Sequence, residues 1–282
     1  FQLYGRYLDQ VVLRSPNATL DYGRDFVSQS LSNLDLKNVP LVFAGYGIQS
    51  EEYNDLSDLN LEGKGVVIIN GEPENKKGEA VVSDPPGMRS RMRTLAEAGA
   101  SFVITVFPTQ ESSDNLLALA GARTSKPRLS MNAPDPNRGV SNFPILAASP
   151  RAIAQLFGLT LDEYNKQLYK LQKKGKSTAG LFSTTVDLDF SLRQKMVSTE
   201  NVLGYMEGTD LKDEVLVITA HYDHVGINSG EVYNGADDDG SGTVGLLEIV
   251  NAFAQAAKDG HRPRRSILFM TVSGEEKGLL CS

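Results

Sequence analysis

Apolar residues along this chain gather into short runs separated by glycine, proline and polar turns. In residues 1 to 37, Val11-Val12-Leu13 predict a short strand that Ser15-Pro16-Asn17 breaks. Between 38 and 150, the runs PLVFAGYGI (Pro40 to Ile48), GKGVVIING (Gly63 to Gly71), SFVITVF (Ser101 to Phe107) and FPILAAS (Phe143 to Ser149) predict strands. Met88 to Ala98 reads as a helix stopped by Gly99, and Glu72 to Pro86 reads as a polar loop. From Gln110 to Asn142 the composition turns to Ser, Asn, Pro and Arg, which predicts long loops. Residues 151 to 176 are predicted helical. There Leu161, Tyr164, Leu168 and Leu171 fall at helical spacing, and the lysines opposite form a solvated face. Phe182, Thr184, Val186, Leu188 and Phe190 then alternate with their neighbours, as in a half-buried strand.

From Asn201 the pattern becomes strand, loop, helix, strand. VLVITA (Val215 to Ala220) is a continuous apolar run, expected of a strand covered on both faces. Gly242 to Ala257 predicts a helix with Val244, Leu247 and Val250 on its inner face, together with Phe253 and Ala254. SILFMTV (Ser266 to Val272) is a second buried strand. Three polar clusters lie against these elements: AHYDHVG (Ala220 to Gly226), NGADDDGSG (Asn234 to Gly242) and SGEEKGL (Ser273 to Leu279). The first and last lie just beyond the carboxyl ends of the two strands, where open α/β sheets place their sites.

Composition adds exclusions. The 282 residues suit one large domain or two ordinary ones, and 40% hydrophobic with 22% charged is an ordinary globular balance. A net charge of −7 with no basic stretch argues against a nucleic-acid partner. The apolar runs are too short to span a membrane. The single cysteine, Cys281, excludes internal disulfides and cysteine-rich zinc sites. Nothing sets an oligomeric state. The chain starts at Phe1 without a signal-like segment and stops at GLLCS without a closing element, so both ends read as cut.

The clusters carry the chemistry. Crowded carboxylates repel unless a cation or a proton sits among them. His221 directly follows a strand, and Asp223, two residues on, lies within reach of its second ring nitrogen. Asp237, Asp238 and Asp239 stand at a helix start, where one acid makes a cap and three exceed what a cap needs. Gly240, Gly242 and Gly245 spell a dinucleotide fingerprint. It lacks an apolar strand immediately before it, has Arg262-Pro263-Arg264-Arg265 where an acid is wanted about 20 residues on, and a phosphate would have to pass three carboxylates. Glu275 and Glu276, at the edge of the same site, could divide the work of metal ligand and general base.

In their order and spacing, AHYDHVG, YNGADDDGSGT and SGEEKGL resemble the di-zinc exopeptidase family that includes aminopeptidase Y, bacterial leucyl aminopeptidases, glutamate carboxypeptidase and the transferrin receptor. The resemblance is strongest over residues 200 to 282. It extends to 38 to 150, where VFAGYGI, LEGKGVVII and AGASFVITV look like the inserted protease-associated domain of many members. It implies an α/β fold, a zinc-exopeptidase-type mixed sheet sandwiched by helices and present here in part, with an inserted β-rich protease-associated domain. The implied organisation is a lead-in over 1–37, the protease-associated domain with a C-terminal helix over 38–178, and the first part of the catalytic domain over 179–282. The implied cofactors are two zinc ions: His221 would bind one, Glu276 the other, and Asp238 both. Asp223 would orient His221, Glu275 would be the general base, and the Asp238–Asp239 peptide would be cis. A further Asp and His would follow Ser282, so this stretch alone is expected to be inactive. The expected activity is zinc-dependent removal of N-terminal residues from a peptide substrate, by a secreted, periplasmic or cell-envelope protein. A carboxypeptidase, a glutaminyl-cyclase-like relative and a non-catalytic receptor are the alternatives on the same fold. His224 fits the motif without being assigned as a ligand, Cys281 falls outside the ligand pattern, and His261 is expected at an exposed turn.

Overall fold

The computed structural model describes residues 2–28, 33–75, 77–124, 128–131, 143–172, 177–228 and 230–280. In chain order the elements are β1 (Gln2–Arg14), β2 (Thr19–Leu20), β3 (Phe26–Ser28), β4 (Leu34–Phe43), β5 (Gly65–Ile69), α1 (Met88–Glu97), β6 (Phe102–Val106), α2 (Gln110–Thr124), β7 (Arg128–Ser130), β8 (Ile145–Ala148), α3 (Pro150–Leu156), α4 (Leu161–Gln172) and β9 (Ser183–Ser198). They are followed by β10 (Val202–Met206), β11 (Leu211–His221), β12 (Gly226–Asn228), β13 (Glu231–Tyr233), α5 (Ser241–Lys258) and β14 (Arg265–Val272). The fold is mixed α/β, as the family resemblance implies. The chain divides into two compact units. One is Tyr7–Pro127 with Asp135–Arg193; the other is Phe1–Arg6, Arg128–Pro134 and Gln194–Ser282.

In the first unit the strand order is β2-β1-β9-β4-β5-β6-β8-β3, with β4, β5, β6 and β8 mutually parallel and β9 and β3 antiparallel at the flanks of that core. The runs GVVII and FVITV are buried throughout because helices cover both faces. Val66, Ile68 and Val103 pack with Met92 and Leu95 of α1. Val67, Phe102 and Ile104 belong to the cluster that holds Ala152 and Ile153 of α3 and Tyr164 and Leu168 of α4. Each Val, Leu, Ile, Phe or Met side chain among them contributes about 1.5–3 kcal/mol on burial. Local chemistry starts the helices. Ser149 Oγ accepts from Ala152 N at 3.1 Å ahead of Pro150, and Thr160 with Glu163 forms a reciprocal capping box at α4.

Helix α2 lies where the sequence predicts loop. Its apolar residues Leu116, Leu117, Leu119 and Ala120 run nearly consecutively and make no helical stripe. Leu117 alone of the three leucines is buried, against Val27 and Ala147. Strand β7 (Arg128–Ser130), antiparallel to β1, also falls within the predicted loop, and 125–127 and 132–142 lie outside the described residues.

In the second unit β14 lies between β10, antiparallel to it, and β11, parallel to it, in a three-stranded sheet among the described residues. Helix α5 makes the β11–α5–β14 crossover. It buries Leu246, with Val250 and Phe253 beside it, against Ile218, Ala220, Ile267 and Phe269. Val244 and Leu247, predicted to face inward, are exposed: the helix presents a stripe rotated from the predicted one, still at helical spacing. VLVITA is not covered on both faces here, because α5 covers one, and Val215, Leu216 and Val217 remain about half exposed.

Candidate metal centre

The carboxyl ends of β11 and β14 coincide, since His221 is the register partner of Val272. The loops that follow both strands therefore start from one edge of the sheet. The backbone of His221 is fixed twice: its N–H donates to Asp239 Oδ2 at 3.0 Å, and its carbonyl accepts from the Thr243 hydroxyl at 2.8 Å. Its ring is fixed as well. Nδ1 lies 2.9 Å from the Asp223 carbonyl oxygen, which can only accept, so Nδ1 carries the proton. Nε2 then aims at Asp238 Oδ1, 3.1 Å away. Partial burial pulls the His221 pKa down, but the Asp223 carbonyl and the carboxylates of Glu275, Asp239 and Asp238 outweigh it, and the net shift is upward.

The aspartate triplet divides its labour. The Ser241 hydroxyl donates to the carbonyl and Oδ1 of Asp237, at 3.0 and 3.2 Å. Asp239 spends both oxygens on backbone N–H groups, those of His221 and of Gly242, the latter at 3.1 Å. A Cβ at Gly242 would lie 2.0 Å from Asp239 Oδ1, so this glycine makes room for the chain's own carboxylate. That disposes of the dinucleotide fingerprint: the start of α5 is already capped by Asp239, and no phosphate is needed there. Asp238 is left with a side chain that is 75% exposed and touches His221. The Asp238–Asp239 peptide is cis, as the family resemblance implies.

After β14 the chain turns at Gly274, with φ 78°, into a short turn of 3₁₀ helix over Glu275–Lys277. Glu275 N donates to Asp223 Oδ1 at 3.2 Å, and Ser273 N to Asn201 Oδ1 at 3.2 Å. Glu275 Oε2 thereby comes to 3.9 Å from His221 Nε2, and Glu276 Oε1 to 2.7 Å from His224 Nδ1. Asp223 does contact His221, though through its backbone carbonyl. Its carboxylate stays 3.9 Å from Nδ1 and holds the Glu275 backbone instead. Expected and observed positions otherwise agree in bringing His221, Asp223, Asp238, Glu275 and Glu276 together. The sequence reading left out His224 as a donor; the structure brings a ligand atom from each of His224, Asp238 and Glu276 within 4.8 Å of one another. Its position three residues after His221 was the available signal. His261 is exposed, the Tyr222 hydroxyl donates to the Glu200 carbonyl at 2.7 Å, and Cys281 lies outside the described residues.

These donors fit zinc. Imidazole nitrogen and carboxylate oxygen are its ordinary ligands, and tetrahedral bonds of about 2.0–2.1 Å hold two donors about 3.3 Å apart. The 3.1 Å between His221 Nε2 and Asp238 Oδ1 is close to that separation. A neutral His221 with its proton on Nδ1 has only a lone pair to offer Asp238, and two acceptors meet comfortably only around a cation or a proton.

A strand–helix–strand unit thus presents a His–Asp–Glu donor set at its carboxyl edge, where α/β sheets place their sites. Residues 201–282 match the model of peptidase family M28. The resemblance read from the three motifs is thereby borne out. A probable glutamate carboxypeptidase AMP1 of Arabidopsis thaliana is 34% identical over 97 residues, which are 34% of this chain and 13% of that protein. A probable zinc metalloprotease of Pyrenophora tritici-repentis is 36% identical over 89 residues, 29% of this chain and 17% of that protein. A vacuolar membrane protease of Tuber melanosporum is 33% identical over 79 residues, 27% of this chain and 8% of that protein. The matched stretch is thus less than a fifth of each of these relatives. Among solved structures, an aminopeptidase from Aneurinibacillus sp. strain AM-1 superimposes with a TM-score of 0.43 at 17% identity, over 99% of this chain and 53% of that one. No helix among the described residues is long and apolar enough to cross a membrane.

Proposed function

We propose that the protein is a zinc-dependent exopeptidase that removes N-terminal residues from peptides. The observation that carries this reading is the convergence of His221 Nε2, Asp238 Oδ1 and Glu275 Oε2 at the shared carboxyl edge of β11 and β14. In this reading His221, Asp238 and Glu276 would hold two zinc ions. Zinc, when bound, polarises the scissile carbonyl and makes water acidic enough to be deprotonated near neutral pH.

The chain's own groups do the rest. The Asp223 carbonyl keeps the His221 proton on Nδ1 and so leaves Nε2 free as a donor. Asp223 Oδ1 anchors the Glu275 backbone and aims its side chain at the site. Glu275 takes the proton from the attacking water and hands it to the leaving amine. Asp239 closes the start of α5 and ties it to His221, which frees Asp238 to face outward.

A second reading, a carboxypeptidase, draws on the names of curated relatives from Arabidopsis thaliana and Arthroderma benhamiae, both probable glutamate carboxypeptidases. Full-length protein, assayed with zinc on an aminoacyl anilide and on an N-acylated dipeptide, separates the two. Hydrolysis of the anilide is expected, and Glu275→Gln is expected to lower it by about 10²–10⁴-fold with zinc content unchanged. Cleavage confined to the acylated dipeptide would select the carboxypeptidase. A Glu275→Gln variant as fast as wild type would end both readings.

A further inference from the structure

We infer that the crevice at the carboxyl ends of β5, β6 and β8 is a second binding site, one that takes the basic side chain of a peptide. The alkyl stem packs against aromatic walls, and the cationic head meets the carboxylates of Glu72 and Glu74 and the hydroxyl of Tyr164. The site belongs to the first unit and uses none of the metal-binding residues.

Topology makes the crevice. The three parallel strands end side by side: Ile69 of β5 is the register partner of Val106 in β6, and Val106 of Ala148 in β8. Open α/β sheets bind ligands outside such ends. Residues just beyond each strand, including Glu72, Phe107 and Pro150, line the space together with Tyr164, Leu168 and Tyr169 of α4. Its volume is about 630 Å³, in the range of sites that hold small ligands. The segment after β5 is held in place by Arg91, whose buried guanidinium donates to the Gly71 carbonyl at 2.7 Å and to the Pro86 carbonyl at 2.6 Å.

Tyr164 carries the argument for a ligand. The residue is 2% exposed, its ring packs against Phe43 and Phe182, and its hydroxyl is buried without a hydrogen-bond partner. Burial first, and Tyr46 in the same crevice second, hold its pKa above the ordinary phenol value, so it is a neutral hydroxyl with a lone pair to offer. An orphaned buried hydroxyl destabilises the fold until another group meets it. Charge and surface then select the ligand. Among the described lining residues, Glu72 and Glu74 stand against one base, Lys166, which leaves a net negative charge. The rings of Tyr46, Phe107 and Tyr169 attract a cation and cover the stem of an arginine or lysine. An acidic side chain would meet two carboxylates, and a wholly apolar one would leave the Tyr164 hydroxyl unsatisfied.

The test is fluorescence anisotropy on full-length, zinc-equilibrated protein. The probes are labelled pentapeptides of glycine and serine with Arg, Glu or Leu at the centre, acetylated and amidated at their ends against exopeptidase action. Saturable binding of the Arg peptide is expected, about tenfold tighter than that of the other two and weaker at high salt. Joint Glu72→Gln and Glu74→Gln substitution is expected to weaken it about 3–10-fold. Tyr164→Phe is expected to weaken it about 5–10-fold, yet to be no less stable than wild type without peptide, since it deletes a hydroxyl that has no partner. No binding of the Arg peptide, equal binding of all three peptides, or unchanged affinity in these variants would overturn the inference. A Tyr164→Phe protein clearly less stable than wild type would overturn it too, because the hydroxyl would already have a partner. Arg-peptide binding abolished by Asp238→Asn would place the peptide at the metal centre instead, which overturns this inference and leaves the zinc reading standing.

Discussion

Adjacent aspartates in this site are not equivalent, and that can be measured. Asp239 satisfies two backbone N–H groups, one in β11 and one at the start of α5. Removing it leaves both without partners, so Asp239→Ala is expected to cost about 1–3 kcal/mol of stability in metal-free protein. Asp238 is exposed and makes no such bond, so Asp238→Asn should change metal-free stability by no more than about 0.5 kcal/mol. Chemical denaturation of both variants in the presence of a chelator checks this, and equal losses would contradict the division of labour. The residue types at the site were legible in the sequence because few other arrangements place so much charge beside strand ends. What the sequence could not reveal was which atom of Asp223 meets His221. Nor could it reveal that His224 turns onto Glu276, since both depend on the path of loops rather than on spacing.

Elements were legible in proportion to how fully each was covered. GVVII and FVITV declare themselves because both faces are packed, and α4 because Tyr164 and Leu168 recur on one face. Helix α2 did not, because one leucine anchors it while its neighbours face out. Leu117→Ala is therefore expected to cost about 2–5 kcal/mol, and Leu119→Ala, at a position 65% exposed, no more than about 0.5 kcal/mol. Comparable losses in both would mean that α2 is not anchored by that one side chain. In α5 the sequence reading put Val244 and Leu247 inward with Val250 and Phe253, whereas packing buries Leu246 beside Val250 and Phe253. A sequence pattern alone does not say which stripe the sheet will take.

At the scale of the whole molecule, Asp55 is a buried charge that the fold must work to keep. Asp55 is buried in the first unit and accepts from Tyr46 N at 2.8 Å, from Ile48 N and from the Ser177 hydroxyl. Burial raises its pKa, and those hydrogen bonds offset only part of the rise. A raised carboxyl pKa means the folded state holds the proton more tightly than the unfolded chain does. Stability from this group therefore falls as pH rises through the window above the ordinary aspartate value. The stability difference between wild type and Asp55→Asn should shrink or reverse in that direction as pH is raised from about 4. A difference that stays flat with pH would contradict the raised pKa.

In the proposed reading, residues 201–282 of the other unit would hold two zinc ions that share Asp238. Its most direct test is zinc bound per chain in full-length protein, by elemental analysis after equilibration with zinc and removal of excess. The account predicts about two zinc ions per wild-type chain and clearly fewer in Asp238→Asn, with the fold intact by circular dichroism. Undiminished zinc in Asp238→Asn, or none in the wild type, would contradict it.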